Sequence, residues 1–483
     1  MMGRAIARVP TAVWVVLIWA IAVLPSLTVR SLVWDEGINA ELARDVLARG
    51  NLLEPAIYGV RWGEKPSLLP WLIAAAARLT GGVNEWSIRL PAMLAVLLTA
   101  LLVHRLTRRY ASAPAALFAA VAFLFCPLLL RKLTVGEPET VITALSFSAF
   151  VVWWHGEEGG RTAGWRWLVC GILLTMLAMA KGPQPVAFFA LGIGGYLVAR
   201  RRWTALPGLL LCLALPAAAT VAWAMAVYRP GDLPVWLSYM RLGTRFDLWQ
   251  YVRDRVTFAG GLPLDLLPGT ILLPFLLVPR WRRQTVTTPV PVITPLILYA
   301  GLCTLVLLVW PQAKTRYAMT AAPAVAVLAG LAIDPLWRRG HMAARAAGAL
   351  ATVLLVYQVG LVTVGMPLFA ERFGGTRRAA AALESAIAAA PAPVYTLGGL
   401  YSSVLFYVPR PIQLVLDLHA GAISAPAWLL APSAQVERFE KLHPEFVVQV
   451  VVRTSAGHAL VAARVERRPP AENPLGERTG RKP

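Results

Sequence analysis

WDEGINAELARDVLARGNLLEPAIYGVRWGEKP, residues 34–66, is the first polar run in a chain that is otherwise mostly apolar. It follows directly on a hydrophobic segment, residues 11–29, which is long enough to cross the roughly 30 Å hydrocarbon core of a bilayer. Arg4 and Arg8 precede that segment. The positive-inside rule therefore keeps the N-terminus in the cytoplasm and puts 34–66 on the outer face. A cleaved signal peptide is the alternative, but the apolar run is long and no A-x-A site ends it. Within the stretch, Ile38, Leu42 and Val46 recur at helical spacing, while Glu41, Arg44, Asp45 and Arg49 mostly turn the other way. The pattern predicts a short helix over 36–49, lying on the membrane surface and ended by Gly50-Asn51. The apolar run 66–80 is too short to span, and reads as an interfacial or re-entrant helix.

The whole chain supports a membrane reading. Of its 483 residues, 58% are hydrophobic and 15% charged, whereas soluble chains carry about a quarter charged. The net charge of +21 fits Lys and Arg gathered in cytoplasmic loops. No basic run is interleaved with stacking aromatics, so no nucleic-acid partner is expected. Cys126, Cys170, Cys212 and Cys303 all sit in apolar segments and read as small buried hydrophobes. No two histidines have ligand spacing, and no HExxH, P-loop or GxGxxG context occurs.

Further apolar segments fall near 88–106, 113–130, 138–155, 165–180, 184–199, 206–227, 264–279, 291–310, 317–334 and 346–366. With the first, that makes about 11–13 spans, allowing for error in the count. Arg105, Arg108 and Arg109, Arg161 and Arg166, Arg200 to Arg202, Arg280, Arg282 and Arg283, and Arg338, Arg339 and Arg345 all fall in loops on the inner side of this topology. Past 370 the pattern changes. Short strands are expected at 394–397, 412–416 and 446–452, with an Ala-rich helix at 376–390. The expected fold is mostly α: a polytopic helix bundle over 1–368 with juxtamembrane helices in its first outer loop, 30–87. A small α/β domain follows at 369–467, then a tail at 468–483 of disordered composition.

The candidates for chemistry cluster on the outer side. Asp35 is either the N-cap of the 36–49 helix or a functional acid. Glu36 fits dipole complementation in the first turn. Glu64-Lys65 is either a snorkelling interfacial pair or part of a site. Arg89 is an outer-face arginine, against the positive-inside trend. Glu137 and Glu139 flank Pro138, which is ordinary helix-start chemistry, yet two carboxylates at a bundle lip can also orient a hydroxyl or hold a cation. Lys181-Gly182-Pro183 puts an ammonium at membrane depth, where ionisable groups are costly and usually functional. Arg241, Arg245, Lys314 and Arg316, with Tyr317, complete the set. These cations suit either lipid headgroups or the phosphate of a lipid-embedded substrate.

The chain resembles the membrane-embedded GT-C glycosyltransferases of the ArnT and protein-mannosyltransferase type. Eight motifs carry the resemblance in order: Trp34-Asp35-Glu36, Ala43-Arg44-Asp45, Gly63-Glu64-Lys65-Pro66, Asn84-Glu85-Trp86 with Arg89-Leu90-Pro91, Glu137-Pro138-Glu139, Lys181-Gly182-Pro183, Arg241-Leu242-Gly243-Thr244-Arg245-Phe246, and Lys314-Thr315-Arg316-Tyr317. It implies a GT-C bundle with a periplasmic C-terminal domain in a bacterial inner membrane. It also implies an inverting transfer of a sugar from a polyprenyl-phosphate donor to an acceptor at the outer face. Asp35 matches the family's catalytic acid, and Glu139 matches a second acid that is usually Asp. Glu64-Lys65, Lys181 and the later cations match residues lining the donor and acceptor cavity. Where the family usually carries a histidine that joins the Glu64 position in metal binding, this chain has Tyr239, Met240 and Arg241, which argues against a bound zinc.

A transporter or flippase of lipid-linked sugars is the alternative, and a structural scaffold is a third reading. Transporters place ionisable groups near mid-membrane on broken helices. Asp35, Glu64, Glu139 and Lys314 stand at the outer boundary instead. The sugar, and whether the acceptor is lipid A, another envelope glycan, a lipid or a protein, are left open by the sequence.

Overall fold

In the computed structural model the described residues are 10–33, 35–160, 163–239, 247–277, 291–311, 313–339, 375–416, 423–455 and 459–469, with scattered residues in 346–368. The chain divides into two compact units, one of 1–56 with 61–370 and one of 57–60 with 371–483.

The first unit is a helix bundle. α1 covers Thr11–Val23, α2 Glu36–Arg49, α3 Leu68–Thr80, α4 Glu85–Tyr110 and α5 Ala113–Leu124. A two-stranded hairpin, β1 Ala56–Ile57 and β2 Val60–Arg61, interrupts the run after α2. There follow α6 Pro138–Glu157, α7 Gly164–Lys181, α8 Gln184–Ala199, α9 Leu206–Val227, α10 Asp232–Tyr239, α11 Leu248–Asp265, α12 Ile293–Val309 and α13 Ala322–Arg339. Packing runs from α9 to α7, α7 to α6, α6 to α4, α4 to α5 and α5 to α13.

By length and apolar composition, Glu85–Tyr110, Gly164–Lys181, Trp203–Val227 and Thr315–Pro335 suffice to cross a membrane among the described residues. Leu248–Asp265 and Gly269–Leu276 form one further pair, bent by 87°. Several other expected spans are shorter apolar helices, among them Thr11–Val23, Ala113–Leu124 and Gln184–Ala199. The expected run 113–130 breaks at Cys126-Pro127, where proline opens a separate short turn. About half of the segment 346–366 lies outside the described residues.

The 36–49 helix forms as its periodicity predicts, with Leu42, Ala43 and Val46 buried and Gly50 in the left-handed cap. It packs on α3, so its apolar face is covered by protein. Glu41 pairs with Arg44 and Asp45 with Arg49 on the outward side.

Polar contacts gather at two opposite helix ends. At one end the Tyr110 hydroxyl donates to Glu158 (2.6 Å), Arg202 pairs with Glu157 (3.0 Å), and Ser112 N donates to Asp334 (2.9 Å). This layer joins the last turns of α4 and α6 to the turns after α4 and α8, and to α13. At the other end stand the starts of α4 and α6 and the end of α7. Between the two layers α6 is locked by an aromatic column. Phe147, Phe150, Trp153 and Trp154 are all at most 1% exposed, and the Tyr299 ring lies tilted 5.1 Å from Phe150 with its hydroxyl on Ser146 (2.6 Å). A helix so held presents its first turn rigidly.

The second unit is α/β. Its sheet runs β4-β3-β5-β7-β6, with β3 Val394–Leu397, β4 Ile412–Val415, β5 Ala427–Pro432, β6 Phe446–Arg453 and β7 Leu460–Arg467. β3 is parallel to β4 and β5, while β7 is antiparallel to β5 and β6. α14 (Thr376–Ala389) and α15 (Ser433–Leu442) pack on the sheet. At the β4 edge, Leu414 N donates to Tyr58 O (2.9 Å), so the hairpin tip satisfies part of an exposed strand edge. The tail beyond 469 lies outside the described residues.

Candidate active site

Asp35 and Glu36 are adjacent acids with different fates. Asp35 already has helical backbone angles and its side chain makes no capping bond. Glu36 folds back on the turn before the helix, its Oε2 accepting from Val33 N (2.9 Å). Glu36 is 0% exposed. Its carboxylate accepts from Arg30 (2.8 Å), Arg89 (2.9 Å) and Gly136 N (2.8 Å). Arg89 is itself 0% exposed and donates to the Ser31 carbonyl as well. Arg30 donates to Thr134 O (2.6 Å). Burial alone would raise the Glu36 carboxyl, but Arg89 and Arg30 outweigh it and hold it at about 2. Glu36 and Arg89, both candidates for substrate binding, are engaged with each other here. Both are consumed in a dry ion triad that ties residues 30–36 to α4 and to 134–136. Asp35 stays half-exposed, and among the described residues its carboxylate makes no ion pair.

The second group forms where α6 starts. Pro138 opens the helix at its first position. Glu137 is 2% exposed and pairs with Lys132. Glu139 is 5% exposed, and its Oε1 accepts from Lys181 Nζ at 2.6 Å. Lys181 is the last residue of α7, where the helix dipole favours a cation. Gly182, at φ 88°, turns the chain away at once in a conformation side chains rarely adopt. Lys181 Nζ also lies 4.8 Å from the Tyr317 ring centroid, and the Arg316 guanidinium 5.3 Å from the same ring. Burial and then the like charges of Glu139 and Asp35 push the Glu137 carboxyl up, with Lys132 opposing them. That brings Asp35 within electrostatic reach of the α6 acids. Residues remote in sequence thus form one group: Glu139, Lys181, Arg316 and Tyr317.

Two clefts border it. One, of ≈ 300 Å³, is lined by Glu139, Lys181, Arg316 and Tyr317 with apolar Ile142 and Phe188. The other, of ≈ 250 Å³, is lined by Asn39, Trp62, Lys65, Ser67 and Pro138. Pro138 and Glu139 are neighbours, so the clefts share a wall at the start of α6. Lys65 and Glu64 are half-exposed and Lys314 is exposed. Arg241 and Arg245 lie outside the described residues.

Sequence reasoning missed three participants. Lys132 was readable, being a cation just past an apolar run and five residues before Glu137. Arg30 and Arg61 were not. Arg61 joins Asp232 (2.6 Å) and the Val227 carbonyl (2.7 Å), clamping the hairpin to the chain between α9 and α10. Arg229 with Glu54 (3.0 Å), and Trp236 Nε1 with Gly63 O (2.8 Å), reinforce the clamp.

Among the described residues no three His, Cys, Asp or Glu side chains gather in a metal-ligating group. Here Glu36, Glu137 and Glu139 each already face an ammonium or guanidinium.

Residues 64–225 match the family model described as dolichyl-phosphate-mannose-protein mannosyltransferase. An Enterobacter sp. (strain 638) protein named undecaprenyl phosphate-alpha-4-amino-4-deoxy-L-arabinose arabinosyl transferase is 28% identical over 253 residues, 49% of this chain and 45% of that one. A protein of the same name from Edwardsiella ictaluri is 31% identical over 182 residues, 36% of this chain and 32% of that one. The chain spans about half the length of the curated relatives it matches first. The crystal structure of ArnT from Cupriavidus metallidurans bound to undecaprenyl phosphate superposes with a TM-score of 0.68 at 19% identity, covering 93% of this chain and 98% of that one. The fold is that of a multi-pass membrane protein of the GT-C, ArnT-like kind, as the sequence motifs indicated.

Proposed function

We propose that this chain, ArnT-like in sequence and GT-C in fold, is an inverting glycosyltransferase. It moves a sugar from a polyprenyl-phosphate donor to an acceptor hydroxyl or phosphate. The reading puts the reaction at the periplasmic face of a bacterial inner membrane, in a catalytic unit of residues 1–368, with 369–467 as an outer domain bearing on the acceptor.

The chemistry follows from charge. The donor is a phosphodiester with about one negative charge. As the bond from sugar C1 to phosphate oxygen breaks, polyprenyl phosphate leaves with a second. Cations fixed in place bind that developing charge more strongly than the ground state, which lowers the barrier. Lys181 and Arg316 supply it, with Tyr317 beneath them, and Lys65 contributes from the second cleft; the reading assigns Arg241, Arg245 and Lys314 the same role. On the opposite side of the sugar the acceptor oxygen forms its bond to C1 and loses its proton. Where the acceptor is a hydroxyl, Asp35 takes that proton late in the step, because the leaving group carries most of the reaction. Polyprenyl packs along apolar side chains such as Ile142 and Phe188. No step requires a metal.

The reading rests on one observation. Lys181 lies 2.6 Å from Glu139 and 4.8 Å from the Tyr317 ring, and all three line one cleft with Arg316. The test is transfer from radiolabelled polyprenyl-phosphate sugars to a panel of lipid A, glycan, lipid and peptide acceptors. Asp35→Asn is expected to bind donor like wild type and to lose at least about a hundredfold in transfer. Near-normal transfer by that variant removes the base assignment.

A further inference from the structure

Lys181 is already occupied. Its ammonium sits on Glu139 Oε1 at 2.6 Å. The other oxygen of that carboxylate, Oε2, is buried without a hydrogen-bond partner among the described residues. An almost fully buried acid with one oxygen unsatisfied depends heavily on its single direct cation. Two further cations, Lys132 and Arg316, act on Glu139 electrostatically without bonding to it.

The arrangement matters for the function proposed above, on which this inference rests. A cation cluster that stabilises a developing dianion also holds the dianion once formed. The product would then bind better than the diester donor and block the next turnover.

We infer that Glu139 competes with phosphate for the Lys181 ammonium, and so sets how fast polyprenyl phosphate leaves. Donor phosphate draws Lys181 off Glu139. During that time Lys132, the cation near Glu139 that takes no part in phosphate binding, holds the carboxylate in its buried place. After transfer, Glu139 recaptures the ammonium and weakens the grip on the product. Glu139 is then a positioning residue and carries no proton.

The experiment uses the full chain in lipid nanodiscs. It measures binding of polyprenyl phosphate and of neutral polyprenol, together with single-turnover and steady-state transfer. Wild type is compared with Glu139→Gln. The variant is expected to bind polyprenyl phosphate about tenfold more tightly, with polyprenol binding unchanged. It should transfer its first sugar at near wild-type rate and then stall. Glu139→Asp keeps the charge but draws it back by one methylene, and should fall between the two. Equal or weaker phosphate binding by both variants, or a slowed first turnover, overturns the inference in favour of a proton-transfer or orienting role. A wild type that does not prefer polyprenyl phosphate to polyprenol overturns the proposed function itself, and this inference with it.

Discussion

Asp35 and Glu36 differ by one methylene and one position, yet one stays in reach of solvent and the other is sealed under two arginines. Their separation turns on Arg89, 53 residues away, whose burial no local pattern announces. That is why the sequence shows two adjacent acids at a helix start but not the ion triad that takes up Glu36. Glu36 yields a signed pH prediction. Its carboxyl falls from an ordinary 4.5 to about 2 on folding. A depressed carboxyl stabilises above its unfolded value, and that contribution is lost as pH falls from 4.5 through 2, to the extent of about 3 kcal/mol. Thermal unfolding in detergent should therefore drop across that window in wild type. It should be much flatter there in Glu36→Gln, which begins about 3–5 kcal/mol less stable because two guanidiniums lose their anion. Lys181→Ala should weaken donor binding and turnover together; donor affinity and rate both unchanged would remove phosphate contact from that residue.

Secondary elements reveal which patterns speak for themselves. α8 and α9 fall where the apolar runs predict, because nothing polar interrupts them. α11 was missed since Arg253, Asp254 and Arg255 break its hydrophobicity. Yet Arg255 is 8% exposed, with its guanidinium on the Leu307 and Ala313 carbonyls. β5 was missed for the opposite reason: its burial is continuous, so it lacks the alternation that marks a half-exposed strand. Gly136 shows how elements meet at the site. A Cβ there would come within 2.6 Å of the Ile88 carbonyl on α4. Gly136→Val should force 134–137 away from α4, cost about 1–3 kcal/mol, and depress transfer through misplaced α6 acids. A fold as stable and active as wild type would show the contact to be slack. The Arg61–Asp232 clamp is testable by a double-mutant cycle in unfolding, with an expected coupling of about 0.5–3 kcal/mol; additive single mutants would remove its role in holding α10.

At the level of the molecule, the two polar layers at opposite helix ends make a topology prediction. The four native cysteines are all buried, so they give a low background for labelling. A cysteine placed at exposed Asn51 should react in intact cells with a membrane-impermeant maleimide, and one at exposed Gly160 only after permeabilisation. The reverse pattern would turn the proposed active face toward the cytoplasm. The bundle itself was foreseeable from composition, since the hydrophobic share leaves few alternatives. The C-terminal sheet was half foreseeable, because its order, β4-β3-β5-β7-β6, depends on pairings between distant strands.

The hydrogen bond from Leu414 to Tyr58 also has a temporal side. A ribosome delivers the hairpin tip roughly 350 residues before the strand that receives it, and at about 5–20 residues per second that is a wait on the order of tens of seconds. Through that interval the tip carbonyl cannot yet accept from Leu414, which has still to be made. A short turn with a single glycine at its crest, Gly59, is well suited to idle in that way until the last fifth of the chain emerges.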